Sequence, residues 1–209
     1  MDTNLKDCLI QERFPTIMAP RYKALPPCPL HQTRLLMARG GLYIDTLQPF
    51  GGFRRCLWFA DRDLPYGEVE EVDEFSAILK DPQAAAIFQG CVLPQAAEYA
   101  NDNREWAGWI VWSKEEGYSY LPLDFEASAA SVFIRQRPIL PEGTYLVIDV
   151  HSHGRMRAFF SSTDDLDDSG GVRLSVVLGS YSKNVGKHNF LYKCRAVVEG
   201  FFFDMEVEP

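Results

Sequence analysis

The stretch Gly143–Asp168, GTYLVIDVHSHGRMRAFFSSTDDLDD, has two histidines at the end of an apolar run and a group of aspartates shortly after them. Gly143 and Gly154 bound the run, and its apolar and β-branched residues predict a buried β-strand. After Phe160, hydroxyl residues are followed by acids, which is the pattern that begins a short helix. The chain is therefore expected to turn back between strand and helix and to bring carboxylates toward the histidines.

The two histidines have the spacing of metal ligands. His151 and His153 are two residues apart, so in a strand their side chains point to the same face, with Cα atoms about 6.5–7 Å apart. Zinc binds imidazole nitrogens at about 2.0–2.1 Å, and a catalytic zinc has three protein ligands and one open position. The third ligand must then come from the aspartates that follow, at positions 164, 165, 167 and 168.

The spacing of the whole segment selects Asp164 among these aspartates. Seven residues separate His153 from Ser161, and Asp164 stands three positions later, which gives the pattern HxH-x7-SxxD. This pattern resembles the motif of the JAMM (JAB/MPN-type) zinc metalloproteases. The resemblance implies that His151, His153 and Asp164 bind Zn2+ and that Ser161 helps to stabilise the tetrahedral intermediate.

The resemblance also implies a glutamate upstream, just before a strand, in an E-x-x-G context. Glu105, in NREWAGWIVW, is followed by Gly108 and by an apolar strand. Its role would be that of a general base, which takes a proton from the attacking water and passes it to the leaving amine. Glu105 is favoured over four rival glutamates, which are Glu115, Glu116, Glu126 and Glu142.

Further segments extend the resemblance to most of the chain. LYIDTLQPFGGFRR, PYGEV, EWAGWIVW and DVHSHGRMRAFFSSTDDLDD together resemble the protein A family of the PRTRC system, a ParB-related, ThiF-related cassette. This resemblance implies a companion E1/ThiF-like protein and a ubiquitin-like protein or peptide as the substrate. One residue departs from the JAMM pattern, because Gly154 stands where most members have proline. We expect this glycine to free the loop without removing a ligand.

Composition and charge restrict the remaining function classes. The chain has 209 residues, of which 46% are hydrophobic, enough for a sizeable core. Its net charge of -8 argues against a nucleic-acid partner. The five cysteines are odd in number and contain no CxxC pair, so we expect reduced thiols in a cytoplasmic protein. The first residues, MDTNLKDCLIQERF, lack the apolar core of a signal peptide, so we expect none, and no window approaches the run of about 20 apolar residues that a membrane span requires.

The pattern along the chain predicts an α+β protein in two parts. Residues 1–93 form an α+β N-terminal region of unknown role, with a hairpin around Gly40-Gly41 and a helical tract that ends near Gly90. Residues 94–209 form a JAB/MPN-like domain, a mixed sheet flanked by helices. The expected function is that of a zinc-dependent metallopeptidase or isopeptidase.

Two other functions stay open. The chain could be a non-catalytic MPN scaffold that binds partners of the cassette, or it could hydrolyse a small molecule at the same zinc. Asp149 shares its strand face with the histidines and is either a carboxylate that supports them or a structural residue. The remaining polar residues are predicted to have no part in the site: Asp165, Asp167 and Asp168 as a solvated acidic run, and His31 and His188 as isolated surface or packing residues.

Overall fold

The computed structural model describes residues 3–183 and 190–206, without the side chains of residues 3–7. The chain divides into two compact units, residues 1–75 and 76–209. This division precedes the boundary predicted at residue 93, because the helices that begin at Pro82 and Leu93 pack on strands of the second unit. His188 lies outside the described residues.

The first unit is a five-stranded sheet preceded by a helix. Its elements are α1 (Thr3–Arg13), β1 (Thr16–Met18), β2 (Gln32–Ala38), β3 (Gly41–Gln48), β4 (Gly51–Phe59) and β5 (Val72–Asp73). The strands follow one another in chain order, and only the β1–β2 pair is parallel. The predicted hairpin at Gly40-Gly41 is confirmed. A side chain is excluded at Gly41, where φ is 143° and a Cβ atom would lie 1.9 Å from the carbonyl oxygen of Trp58.

One face of this sheet combines an apolar core with a buried ion pair. Leu36 and Ala38 of β2 are completely buried and pack with Tyr43 of β3. Farther along the same face, Arg34 Nε donates a hydrogen bond of 2.7 Å to Asp45 Oδ2. Both side chains are buried, so each supplies the charge that the other needs in the interior.

The second unit is built on a six-stranded mixed sheet. Its helices are α2 (Phe75–Lys80, beginning at the boundary), α3 (Pro82–Ile87), α4 (Leu93–Asn101) and α5 (Ser162–Asp167), with a π-helical turn at Phe88–Val92. Its strands are β6 (Trp106–Ser113), β7 (Gly117–Pro122), β8 (Phe125–Ala127), β9 (Val132–Ile134), β10 (Thr144–Ser152), β11 (Val172–Gly179), β12 (Leu191–Val198) and β13 (Phe201–Met205). The order in the large sheet is β13-β12-β11-β10-β6-β7, and β8 and β9 form a separate hairpin.

Only β10 and β11 are parallel in the large sheet, and α5 lies in the connection between them. Helix α3 packs on β7 and helix α4 on β6. Trp106, Ile110 and Val150 are among the completely or almost completely buried side chains of the sheet. The predicted α+β class, with a mixed sheet flanked by helices, is confirmed.

The helical tract before β6 continues through the position where the sequence predicts an end. Asp81 caps α3 by accepting hydrogen bonds from the backbone of Gln83 and Ala84, and Pro82 occupies the first turn, where a helix needs no N–H donor. The predicted end near Gly90 is wrong. Gly90 lies within the π-helical turn, which leads directly into α4, and a Cβ atom at this position would meet nothing within 4 Å.

All five cysteines lie within the described residues, and none of them is in a disulfide bond. Within the described residues, no helix is both long enough and apolar enough to cross a membrane.

Candidate metal centre

The two motif histidines lie at the C-terminal end of β10, in the middle of the large sheet. His151 pairs with Ala107 of β6 on one side and with Val177 of β11 on the other. His153 follows the last residue of the strand, and its N–H donates a hydrogen bond of 2.8 Å to the carbonyl oxygen of Leu178. The two rings lie on the same side, with centroids 5.1 Å apart, as the strand period requires. Both side chains are largely buried.

The turn after His153 is held by hydrogen bonds to both backbone groups of Gly154. Gly154 has φ 56°, and its N–H donates a hydrogen bond of 3.0 Å to the hydroxyl of Ser152. Its carbonyl oxygen accepts a hydrogen bond of 3.0 Å from the N–H of Tyr181. Gly154 is buried, so the expectation that it frees the loop is wrong. The glycine is needed because this left-handed conformation is costly for other residues and closed to proline.

A second glycine brings the loop close to the sheet. Gly179, the last residue of β11, lies against the backbone of the segment 156–158, and a Cβ atom there would be 2.3 Å from the nitrogen of Ala158. The N–H of Ser180 donates to the carbonyl oxygen of Met156 at 2.5 Å. The chain that leads from the histidines to α5 is thus fastened to the end of the neighbouring strand.

Helix α5 begins with a capping box that orients Asp164. The N-cap residue Ser161 accepts a hydrogen bond of 3.2 Å at Oγ from the N–H of Asp164. In return, Asp164 Oδ2 accepts a hydrogen bond of 2.6 Å from the N–H of Ser161. The SxxD spacing of the motif is therefore also the spacing that caps this helix. Oδ1 of Asp164 is left to face the histidines.

The three motif ligands converge on one point. His151 Nε2 lies 3.1 Å from Asp164 Oδ1, and His153 Nε2 lies 4.0 Å from Asp164 Oδ2. One ligand atom from each residue lies within 4.8 Å of the other two. Ligands around a tetrahedral zinc with bonds of about 2.0–2.1 Å are about 3.3 Å apart. The observed separations thus need only small side-chain rotations to reach that geometry.

Two further observations fit a metal ion at this point. His151 Nε2 is buried, and its ring is not oriented for a hydrogen bond to Asp164 or to any other described residue. The other histidine has the support that metal ligands usually have: Nδ1 of His153 lies 3.3 Å from the carbonyl oxygen of Arg157. Its ring also packs edge-on against Phe159, with centroids 4.7 Å apart. Both histidines therefore present Nε2 to Asp164.

The charges of the cluster shift the pKa values of its members in opposite directions. Burial raises the pKa of Asp164, but His151 and the hydrogen bonds from Ser161 lower it more, so the net pKa lies well below the usual range. Burial lowers the pKa of His151, but Asp164, followed by Asp149 and Glu105, raises it more. Burial and the neighbouring His151 lower the pKa of His153. Without a metal ion, Asp164 is ionised and His151 is the first of the two rings to take up a proton.

Glu105 lies directly before β6, next to this cluster. Its backbone N–H donates a hydrogen bond of 2.8 Å to the carbonyl oxygen of Ser128, and the residue is only 5% exposed. Burial raises the pKa of Glu105, and His151 and Asp164 act on it in opposite directions. The main alternative, Glu126, has a side chain that is 66% exposed and bonds Arg135. Of these two glutamates, Glu105 is the one whose charge interacts with His151 and Asp164.

A cavity of about 210 Å³ adjoins the cluster. His151 and Asp164 line it together with Asp149 and Ser175. The hairpin β8–β9 contributes an apolar wall. The cavity is thus large enough to admit part of a substrate beside the candidate metal ligands.

One aspartate of the acidic run differs from the prediction. Asp165 and Asp167 are exposed, as expected, but Asp168 is only 3% exposed. The reason is that two buried arginines, Arg173 of β11 and Arg195 of β12, surround its carboxylate. The sequence gives no local signal for this cluster, because the arginines stand on strands that approach Asp168 only in the folded chain.

The remaining residues considered from the sequence have partners other than the three ligands. Asp149 Oδ2 is 3.8 Å from Arg173 Nε, so this carboxylate forms an ion pair with Arg173. It also lines the cavity. Ser152 is completely buried and accepts the hydrogen bond from Gly154 that closes the turn. His31 is exposed in a left-handed turn of the first unit.

Comparison with known families supports a division of the chain into two different parts. Residues 95–192 match the family model of prokaryotic homologs of the JAB domain. Residues 4–76 match the model of a domain of unknown function, DUF2016. Among curated proteins, none matches the chain. The second unit is thus similar to JAB domains, and it contains the whole His-His-Asp cluster.

Proposed function

We propose that this JAB-like unit is a zinc-dependent peptidase or isopeptidase. The observation that carries the proposal is the convergence of His151, His153 and Asp164 beside the buried carboxylate of Glu105. Two histidines and one carboxylate are also a ligand set for iron(II). The similarity of residues 95–192 to JAB domains and the JAMM-type spacing of the ligands favour zinc. A cytoplasmic location belongs to the same proposal.

Each residue of the cluster has a chemical role in this proposal. A zinc ion held by His151, His153 and Asp164 would polarise the scissile carbonyl group and lower the pKa of water. Glu105 accepts a proton from the attacking water at its carboxylate and delivers it to the leaving nitrogen. Burial favours this role, because a raised pKa brings the carboxylate closer to the pKa that an acid–base catalyst needs near neutral pH.

Ser161 can stabilise the oxyanion without leaving the helix cap. Its Oγ accepts the hydrogen bond from Asp164 N–H, so its own hydroxyl proton is available to the substrate. An oxyanion needs a donor of this kind where its charge develops. The cap fixes the position of the hydroxyl before substrate binds.

The substrate in this proposal is a ubiquitin-like protein or peptide, with an E1/ThiF-like protein as a possible companion. The support is the resemblance of the sequence to the PRTRC protein A family. No function is assigned to the first unit, since its family match is to a domain of unknown function.

The first test is the metal content of the purified protein. We expect close to one zinc ion per chain in wild type and none in the His151→Ala/His153→Ala variant, because that variant retains one ligand of three. A protein that takes up no zinc, even when zinc is added to the folded chain, would contradict the proposal. A non-catalytic scaffold would then explain the JAB-like fold better.

The second test separates metal binding from catalysis. The probe is a ubiquitin-like protein with a fluorophore in amide linkage at its C-terminal carboxyl group. Glu105→Gln should keep zinc but abolish release of the fluorophore, because a carboxamide cannot accept the proton. Glu126→Gln is the matched control and should cleave as wild type does, since this glutamate is exposed. Equal cleavage by Glu105→Gln and wild type would show that the general base lies elsewhere.

A further inference from the structure

Helix α5 is too short to fix the position of Asp164 by itself. It has six residues, Ser162–Asp167, and isolated helices of fewer than about 12–15 residues are marginal in water. None of its residues is buried, so the helix has no apolar face that could anchor it to the sheet. Its position must come from polar contacts with the strands.

Arg195 of β12 supplies contacts to both ends of this segment. Its Nη1 donates to Asp165 Oδ1 at 2.6 Å, and its Nη2 donates to Asp168 Oδ2 at 2.9 Å. Its guanidinium also lies 3.8 Å from the ring centroid of Phe160, directly before the capping box, and 3.9 Å from that of Phe202. One buried side chain thus contacts the residue before the cap, the helix itself and the residue after it.

Arg173 of β11 secures the C-terminal end. Its Nη2 donates to Asp168 Oδ1 at 2.5 Å, and its Nη1 donates to the carbonyl oxygen of Gly170 at 2.7 Å. The carboxylate of Asp168 therefore has one arginine on each oxygen. These groups are buried, so the loss of one partner would leave an uncompensated charge in the interior. The two arginines therefore hold Asp168 in one position.

We infer that Arg195, together with Arg173, is a positioning residue for the candidate metal centre. It contacts none of the three ligands. It holds the segment from Phe160 to Asp168 so that the capping box presents Asp164 to His151. Lysine cannot replace it, because an ammonium group has neither the planar fork that binds two carboxylates nor the flat surface that stacks between two rings. This inference rests on the proposed metal site.

The test compares metal affinity with stability in matched variants. The variant is Arg195→Lys, and the control is Arg34→Lys, which alters an equally buried arginine–aspartate pair in the first unit. The measurements are the Kd of the full chain for Zn2+, by competition with a chelator, and the melting temperature of the metal-free protein. We expect the metal-free form of both variants to have a lower melting temperature than metal-free wild type. Only Arg195→Lys should raise the Kd, by about tenfold or more, as when residues that support metal ligands are changed.

The outcomes separate this inference from the proposed function. If wild type binds no zinc, the metal site itself is overturned, and this inference fails with it. If wild type and folded Arg195→Lys bind zinc equally tightly, only the positioning role is overturned. If Arg195→Lys does not fold, Asp165→Ala takes its place, because this carboxylate is half exposed and loses a single contact with Arg195. A smaller rise in Kd is then expected, and an unchanged Kd overturns the inference.

Discussion

A single substitution can separate the capping role of Ser161 from the catalytic role proposed for it. Ser161→Ala removes the hydroxyl that caps α5, so we expect the free energy of unfolding to fall by about 1 kcal/mol. The backbone N–H that holds Asp164 Oδ2 stays in place, so zinc should still bind. If the hydroxyl stabilises the oxyanion, kcat should fall by about 10²–10³. Urea unfolding, zinc content and the cleavage rate measure the three effects.

The control for this substitution is its neighbour. Ser162 is exposed and follows the cap, so Ser162→Ala should leave stability, zinc content and rate unchanged. A variant Ser161→Ala that loses zinc would show that the hydroxyl, rather than the backbone, orients the ligand.

In the metal-free protein, the pair His151–Asp164 makes stability depend on pH. The pKa of His151 is raised, so its contribution is complete below about 6.5 and is lost as pH rises through the folded pKa. The pKa of Asp164 is lowered, so its contribution is present above about 3.9 and is lost as pH falls through the folded pKa. The pair therefore stabilises the fold most between these values.

We expect Asp164→Asn to lower the melting temperature of the metal-free protein more at about pH 6 than at about pH 9. Asparagine keeps an oxygen for the Ser161 N–H, so the cap is largely preserved. Asp167→Asn, in the exposed part of the same helix, should have a similar small effect at both pH values. Equal losses at both pH values for Asp164→Asn would mean that the ion pair does not contribute.

Among the elements, the turn between β10 and α5 gives a prediction that opposes the JAMM pattern which the sequence resembles. Most JAMM-type sequences have proline where Gly154 stands, but φ of 56° excludes proline here, and the N–H that proline lacks is bonded to Ser152. Gly154→Pro should therefore destabilise the protein strongly. Gly154→Ala should cost about 1–2 kcal/mol, because alanine resists the left-handed conformation. Chemical denaturation measures both.

Gly90→Ala is the matched control for the turn. Gly90 lies in the π-helical turn, outside the left-handed region and with open space around it, so alanine should be neutral or slightly stabilising. A stable Gly154→Pro variant would mean that the turn can adopt a different conformation without loss.

The sequence predicted elements well where a local pattern determines them. The apolar run of β10, the hairpin at Gly40-Gly41 and the cap before α5 are all recognisable from neighbouring residues. The prediction that the helix ends near Gly90 was wrong, because a glycine inside a helix is tolerated when packing on either side holds the helix. The buried state of Asp168 was missed because its partners, Arg173 and Arg195, lie on strands that only the tertiary fold brings together.

At the level of the whole chain, every residue of the candidate site lies in the second unit. We therefore expect residues 76–209, expressed alone, to bind zinc with the same Kd as the full chain, since the ligands and the arginines that support them are all present. The zinc competition assay described above measures this. A clearly weaker affinity in the fragment would show that the first unit contributes to the site.

The division of the chain was harder to predict than the site. Residues 75–93 were assigned to the first part because clearer strand and helix patterns begin only from about Pro94. Their contacts are with β6 and β7, which follow them in the chain, and long-range packing of this kind leaves little trace in a local pattern. The motif HxH-x7-SxxD, by contrast, has its four residues within one β-turn-α segment.

The capping box has a consequence for how this lineage could change over time. Selection for a stable α5 alone would preserve Ser161 and Asp164 even in a descendant without the proposed metal centre, because both residues stabilise the helix. His151 and His153 take no part in the cap, and the contact of His151 with Asp164 Oδ1 is the stabilising role that remains to it. Sequence change in such a descendant would therefore replace the histidines before the serine and the aspartate.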